Sequence, residues 1–494
     1  MQMPEQVSQH EIVIAGGGPT GLMLAGELAL AGVDVAIVER RSTRDLDGAR
    51  AGGLHARSLE VLDQRGIVGQ FLAEGQTHPQ VGFHVALDIS DFPTRHNYLL
   101  ALRQKHIERL LADWVDELHV PVYRGMEVLD VVDHESAVDI AMSQGANLRA
   151  SWLVGCDGGR SQVRKSAGIA FPGTEASTSW LIAEVKMTQP PQLGFHETSS
   201  GRHAMAMLED GETVGVVIAG QDPRATSVPS LHDLARALTA NYGHDFGVHA
   251  PSWMSRFSDA TRQAETYRKG RVLLAGDAAH IHSPMGGQGL NLGLQDAINL
   301  GWKLAQVAKG ISPVSLLDTY HAERFPVAAR VLRTTLAQSL LRDPGERTAI
   351  LGEFVSELLA MDEPRKHFAG MMSGLDIRYE LGDGHPLLGR RMPDLDIVVG
   401  GKSTRVFALL HDAKPVLLSF ANPNSLAIDG WSDRVKLLDA RCEGVCELPV
   451  IGAVETPAAV LIRPDGHVAW VGDGDSQGLV DALRVWFGDE AVSP

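Results

Sequence analysis

A short apolar run from Ile12 to Ala15 precedes a glycine turn at Gly16 to Gly21. Apolar residues at helical spacing follow from Leu22 to Leu30, then a second short run from Asp34 to Glu39. Two short runs flanking a helix-period segment predict strand, turn, helix and strand, which is one βαβ unit. The same layer is predicted to continue in Val120 to Val122, Val128 to Val132, Trp152 to Cys156 and Val272 to Ala275. Ile107, Leu110, Leu111, Trp114, Val115 and Leu118 fall on one stripe and predict an amphipathic helix directly after Gln104.

Two other stretches keep a different period. Val81 to Leu100 consists of short alternating runs, and Ser179 to about Gln263 alternates likewise through LIAEVKM, HAMAMLED and TVGVVIAG. Both predict strands that leave the first layer, the second an antiparallel sheet with one helix at Leu231 to Leu238. Beyond a Gly-rich loop at His282 to Gly289, the residues Leu292, Ala297, Ile298, Leu300, Trp302 and Leu304 predict a long helix. Ile311 to about Asp376 reads as helical and carries Tyr320, His321, Glu323 and Arg324 on a packing helix. From Ile397 strands and helices alternate through VFALL, PVLLSF, Trp431 to Leu438 and PAAVLIRPDGHVAWVG, ending in a helix at Leu479 to Trp486. The expected fold class is α/β. A discontinuous Rossmann-like dinucleotide-binding domain comprises 1–80, 100–178 and 265–345, with an inserted antiparallel-sheet domain at 81–99 and 179–264. A helical linker at 346–395 and a C-terminal domain at 396–494 complete the chain.

A length of 494 residues accommodates about three domains, each large enough for its own core. The net charge of −17 argues against a general nucleic-acid or anionic-membrane surface and leaves room for local basic pockets. The first ten residues are polar and lack a signal-peptide pattern, and no apolar run approaches a membrane span, so a cytoplasmic location is expected. Cys156, Cys442 and Cys446 are too few for a disulfide framework, and no Cys-x-x-Cys pair points to thiol redox work.

Chemistry enters at the turns. Gly16 allows a tight turn, Gly18 lets a pyrophosphate approach the backbone, and Gly21 permits close helix–sheet packing. The free N–H groups at the helix start then face the phosphates. Glu39 stands where a carboxylate would accept from an adenosine ribose, whereas Arg40 would favour a 2′-phosphate, so this unit alone leaves FAD and NAD(P) both open. Arg50, in GARAGG, sits among small residues that would let a backbone come close to a ligand, and reads equally as a solvated surface arginine. Gln104 would meet a flavin or merely cap its helix. Asp157-Gly158-Gly159, followed by Arg164, suits a charge-anchored turn beside a phosphate or ribose, and equally an ordinary Asp-Gly turn. Asp277 can accept from a ribityl hydroxyl, and the glycines after it bring a helix N-terminus against a ring system.

Taken together, these stretches resemble the class A flavoprotein monooxygenases, the aromatic hydroxylases with a single FAD domain. The resemblance runs from about residue 10 to the C-terminus and rests on GGGPTG at Gly16 to Gly21, CDGGRSQVR at Cys156 to Arg164, and AGDAAHIHSPMGGQGLN at Ala275 to Asn291. RAGGLHARSLEVLDQRG and RYELGDGHPLLGRRMPDL are similar to aromatic polyketide hydroxylases of the angucycline and anthracycline kind, with rifampicin monooxygenases as close relatives. The resemblance implies a Rossmann-like FAD-binding domain, an inserted substrate-binding sheet and a thioredoxin-like C-terminal domain. It implies bound FAD, NADPH or NADH as a transient reductant, O₂ as co-substrate, and hydroxylation of a polycyclic aromatic small molecule through a flavin C4a-hydroperoxide. It also places Gly16, Gly18, Pro19, Thr20 and Gly21 at the pyrophosphate, Glu39 and Arg40 at the adenosine, and Gln104 and Asp277 at the ribityl and diphosphate part. Arg50, Val128 and Asp157 become cofactor neighbours, and Pro284, Gly286, Gly287, Gly289, Leu290 and Asn291 line the isoalloxazine. No side chain is singled out as a catalytic base. The expected assembly is a monomer or homodimer without nucleic acid or membrane.

Other motifs lead nowhere. Gly474 to Gly478 matches a G-x-S-x-G elbow, but the hydrolase order needs a later histidine and the last is His467. His280 and His282 have no third ligand at metal spacing, so packing at the loop is the expected role. The rival readings are an antibiotic-inactivating monooxygenase of the rifampicin type, a flavin dehydrogenase or oxidase without oxygen insertion, and a non-enzymatic binding protein on the same fold.

Overall fold

The computed structural model describes residues 8–46, 48, 52–198, 201–208, 210–220, 227–342, 345–421, 426–473 and 476–491. Strand β1 (Ser8–Ala15) leads through Gly16 to Gly18 into helix α1 (Pro19–Leu30). Pro19 occupies the first helical position, where its missing N–H would have had no intrahelical acceptor. Strand β2 (Val35–Glu39) follows, buried along its whole length. Helix α2 (Gln104–Glu117) and β3 (Val122–Arg124) continue the layer, and β4 (Asn147–Gly155) closes on the other side of β1.

The inserted sheet consists of β5 (Ser179–Met187), β6 (Gly194–Thr198), β7 (Gly201–Met207) and β8 (Val214–Ala219), then helix α3 (Leu231–Tyr242) and β9 (Val248–Ser258). It is antiparallel in the order β6-β7-β8-β5-β9. Helix α3 runs four residues beyond the expected Leu238 and is started by a capping box in which Ser230 and Asp233 exchange hydrogen bonds. The chain returns through β10 (Thr261–Gln263), β11 (Val272–Leu274) and β12 (His280–Ile281) to α4 (Gln288–Ala308) and α5 (Asp318–Leu340).

In the main sheet the order is β11-β4-β1-β2-β3, and each of these neighbours is parallel. Ile12, Val13 and Ile14 are fully buried, as parallel strands covered on both faces must be. Two expectations are corrected by the pairing. Residues Gln80–Gly82 and Ala86–Asp88 form their own two-stranded hairpin rather than joining the inserted sheet, and Phe407–Leu410 in VFALL makes a single 3₁₀ turn. A Cβ on Gly352, in helix α6 (Glu346–Leu359), would lie 2.9 Å from His84, so this hairpin is backed by the linker helices.

The C-terminal domain is a six-stranded mixed sheet between Asp396 and Gly472 with a closing helix at Leu479–Phe487. Buried ions fasten it to the first domain. Arg463 donates to both oxygens of Glu323 at 2.6 and 2.8 Å, and Lys303 Nζ donates to Glu323 at 2.8 Å. Burial would raise the Glu323 carboxyl, but Arg463 and Lys303 outweigh it and hold it at about 2. Arg65 reaches Glu27 at 2.7 Å and the carbonyls of Leu410 and Pro464 at 3.0 and 2.8 Å. Among the described residues no helix is long and apolar enough to cross a membrane.

Candidate active site

Strand register gathers the chemistry on one edge. Ala15 lies beside Val38 and Gly155, and Gly155 beside Leu274. Gly16, Glu39, Asp157 and Asp277 therefore leave the sheet side by side at the carboxyl ends of parallel strands, where open α/β sheets hold their ligands.

At the first turn Gly16 has φ +107°, and a Cβ there would collide with the carbonyl of Cys156. A Cβ on Gly21 would collide with the carbonyl of Gly16, whereas one on Gly18 would meet nothing within 4 Å. Two glycines thus allow close packing and the third leaves open space at the N-terminus of α1, the arrangement a pyrophosphate requires. Pro19 and Thr20 form the first turn of that helix.

Glu39 is only 5 % exposed. Its Oε2 accepts from Gly17 N at 2.6 Å, and its Oε1 accepts from Arg41 N and Nε at 2.8 and 3.1 Å. Burial raises this carboxyl, but the hydrogen bonds and charge of Arg41, with the Gly17 N–H, bring it below its ordinary value. Arg41 also donates to Glu108 at 2.7 Å and to the Gly17 carbonyl at 3.1 Å, and Gln104 Nε2 donates to the other Glu108 oxygen at 2.7 Å. Glu39 and Gln104 are therefore joined through Arg41 and Glu108, two residues not singled out from sequence. Arg40 is exposed, and its neighbour takes the inward position. Val128 is buried two residues past Met126, whose N–H donates to the Glu39 carbonyl at 3.2 Å.

Asp157 Oδ2 accepts from the N–H groups of Gln162 and Val163 at 2.7 and 3.1 Å, while its Oδ1 is buried without a hydrogen-bond partner. Arg164 ties this turn to the next one, donating to the carbonyls of Gly159 and Ala278 at 3.0 and 2.8 Å. Asp277 is exposed on the 3₁₀ turn Gly276–Ala278. A Cβ built on Gly289 would lie 3.8 Å from Asp277 Oδ1 and 3.7 Å from His282 Nε2, so these two groups flank the start of α4. Burial lowers His282 to about 4, which keeps its ring neutral.

The Gly-rich loop is shaped by positive φ at Gly286 (+69°) and Gly287 (+64°) between the exposed Pro284 and α4. His55 Nε2 donates to the Gly286 carbonyl at 2.8 Å, and Asn291 Nδ2 donates to the Gly287 carbonyl at 2.9 Å. Asn291 also accepts from His55 N at 2.8 Å and donates to the Gly53 carbonyl at 3.2 Å. With the carbonyls engaged behind the loop, the first-turn N–H groups at Gln288, Gly289 and Leu290 have no side-chain cap and carry the positive end of a 21-residue helix. Burial also lowers the His55 pKa, against the opposing pull of its Gly286 hydrogen bond. Arg50 lies outside the described residues, as do Gly474 and Asp475 of the hydrolase-like motif.

Beneath the loop Asp296 is fully buried. Its Oδ2 accepts from Gly276 N at 3.2 Å and His280 Nε2 at 2.6 Å, and its Oδ1 accepts from Arg324 Nε at 2.7 Å. His280 is a partner of this carboxylate, and Asp296 itself gave no sequence signal because its partners lie on two distant segments, the turn from Gly276 to His280 and the helix that carries Arg324.

A glycine turn on α1 and a glycine-shaped start of α4, facing one sheet edge, define a flavin-type dinucleotide site. The open space at Gly18 and the unpartnered Asp157 Oδ1 fit that group. Residues 9–335 match the FAD binding domain family, and residues 385–489 match the aromatic-ring hydroxylase C-terminal family. The chain belongs to the FAD-dependent aromatic-ring hydroxylases, which are monooxygenases. Rifampicin monooxygenase of Streptomyces venezuelae is 42% identical over 487 residues, 97% of this chain and 98% of its own. The anhydrotetracycline hydroxylase OxyS of Streptomyces rimosus superposes with a TM-score of 0.91 at 41% identity, over 98% of this chain and 100% of its own. CabE, an aromatic hydroxylase from angucycline biosynthesis, superposes at 0.89 with 40% identity over the same shares.

Proposed function

We propose that this chain hydroxylates a polycyclic aromatic small molecule of the polyketide type, drawing electrons from NADPH or NADH and oxygen from O₂. Bound FAD supplies the electron transfer and oxygen activation that amino-acid side chains lack. In this reading the turn from Gly16 to Gly21 holds the pyrophosphate, and Glu39, kept ionised by Arg41, accepts from the adenosine ribose. Asp157, Gln104 and Asp277 face the diphosphate and ribityl chain. Pro284 and the backbone from Gly286 to Asn291 meet the ring system, where the α4 N-terminus favours negative charge on the pyrimidine side. The discontinuous first domain carries the cofactor, the inserted sheet roofs the substrate, and 396–494 braces α4 from behind. The protein works in the cytoplasm, where its nicotinamide reductant is found, as a monomer or homodimer.

The observation that carries the reading is the loop at Gly286 and Gly287, whose carbonyls are held by His55 and Asn291 while the helix start that follows has no side-chain cap. The test is NADPH and NADH oxidation by the flavin-loaded protein, with and without anhydrotetracycline or rifampicin, and the product mass under labelled O₂. A product heavier by one labelled oxygen atom is expected. Stimulated oxidation without oxygen transfer would assign a dehydrogenase or oxidase, and a colourless protein that takes up no FAD would assign a binding protein.

A further inference from the structure

Helix α6 (Glu346–Leu359) is apolar on two sides and covered on one. On its inner side Gly352 and Leu359 are buried, and Val355 and Leu359 pack in one cluster with Val81, Phe83 and Leu87 of the hairpin region. On its outer side Ile350, Leu351, Phe354 and Leu358 recur at helical spacing, within about 100° of the helix surface, and are 40–60 % exposed. Met361, just past the helix end, is exposed too, as are Leu336 and Leu340 in the last two turns of α5.

A helix that is apolar all round is normally enclosed all round. Single exposed apolar residues are ordinary on a surface, but a stripe of this kind marks an interaction site. At roughly 200 Å² for a whole large apolar residue, these seven expose about 700 Å² per chain. Each partner in a standard interface contributes about 800 Å².

Charge says what covers the stripe. Within α6 three glutamates, Glu346, Glu353 and Glu357, stand against the single Arg347. A membrane-surface helix has the opposite pattern, with Lys and Arg along its polar face. Arg347 lies on the stripe at its start and Glu357 borders it ten residues later, or about 15 Å along the axis. Both are exposed, and neither makes an ion pair among the described residues.

We propose that this face joins two copies of the chain in an isologous contact, with the two α6 helices antiparallel. A two-fold axis at the level of Gly352 sets Ile350 of one copy against Phe354 of the other. It also brings Arg347 of each copy within reach of Glu357 of the other, so the stripe is complementary to itself and the ion pair is made twice. The contact holds whichever small molecule the chain hydroxylates.

The test measures the mass of the flavin-loaded full chain by sedimentation velocity and light scattering over a range of concentrations. The parent should have twice the mass of one chain, and its thermal midpoint should rise with protein concentration. Phe354→Glu and Ile350→Glu should each raise the dimer Kd by about thirtyfold or more. Arg347→Glu and Glu357→Arg should each raise it about tenfold, and the two reversals together should return it to within about threefold of the parent. All four side chains are exposed, and the flavin content and thermal midpoint of dilute variants report folding. A parent that stays monomeric at about 100 µM would overturn the proposal, and its sedimentation with phosphatidylglycerol vesicles would then assign the face to a membrane. A dimer indifferent to Phe354→Glu and Ile350→Glu would overturn the choice of surface. A double reversal no tighter than the single ones would overturn the antiparallel pairing.

Discussion

Asp296→Asn removes one negative charge from a site that water does not reach. Asp296 and Arg324 are each essentially fully buried, and the carboxylate holds three donors: Arg324 Nε at 2.7 Å, His280 Nε2 at 2.6 Å and Gly276 N at 3.2 Å. Asparagine preserves the shape but offers one acceptor oxygen in place of two, and it leaves the Arg324 guanidinium buried without its counter-charge. Breaking a buried pair in this way costs about 3–5 kcal/mol. At about 2.1 cal/mol/K of unfolding entropy per residue over 494 residues, the thermal midpoint should fall by about 3–5 °C. FAD affinity should fall as well, because Gly276 and His280 bracket the turn that presents Asp277. Removing both charges in Asp296→Asn with Arg324→Met should recover part of the loss, since the unpaired cation is the dominant penalty. Differential scanning fluorimetry and flavin titration of parent, single and double variants measure all three quantities. A single variant within about 1 °C of the parent, or a double variant worse than the sum of the singles, would refute the assignment of Asp296 as the buried anchor of the loop.

Further outcomes follow from the same geometry. Glu323 is held at about 2 in the folded protein against an ordinary 4.5, so its contribution is present above pH 4.5 and is lost as pH falls toward 2. Glu323→Gln should cost on the order of 3 kcal/mol at neutral pH and progressively less below pH 4.5, read from thermal midpoints across pH. Arg41→Ala should raise the FAD Kd by about tenfold or more, because Glu39 and Glu108 lose their shared cation, while Arg40→Ala should stay within about twofold. Equal effects of the two would discard the inward role of Arg41. Gly286→Ala places a Cβ 2.5 Å from Met372 Cε and 3.1 Å from the Gly82 carbonyl at φ +69°, at a conformational cost of about 1–2 kcal/mol. Its expected signature is retained flavin with less hydroxylated product per NADPH consumed, and unchanged coupling would show that the loop's shape is not limiting.

Much of the cofactor site is written in local pattern. The order of strand, glycine turn, helix and strand from Ile12 to Glu39 is legible because side-chain period identifies each element, and because glycine is demanded wherever backbone must touch backbone, as at Gly16 and Gly21. The amphipathic stripe from Ile107 to Leu118 and the long helix after Asn291 are legible for the same reason. Pairing is not a local property. Nothing in the residues themselves says that Gln80–Gly82 finds Ala86–Asp88 rather than the inserted sheet, since any alternating strand can pair with another.

The same limit separates Arg40 from Arg41. Successive side chains at a strand end point to opposite sides, and only the place of α2 decides which side holds Glu108. His55 and Asp296 stayed invisible because their partners, Gly286 and Asn291 for one and Gly276 and Arg324 for the other, come from segments that meet only when the layers close. Sequence alone therefore determined which elements form and which turns bear glycine, since both follow from the bonds and sterics of neighbouring residues. Tertiary structure decided which charges neutralise one another in the interior and which face of α6 is left open, because both depend on what the rest of the chain packs against.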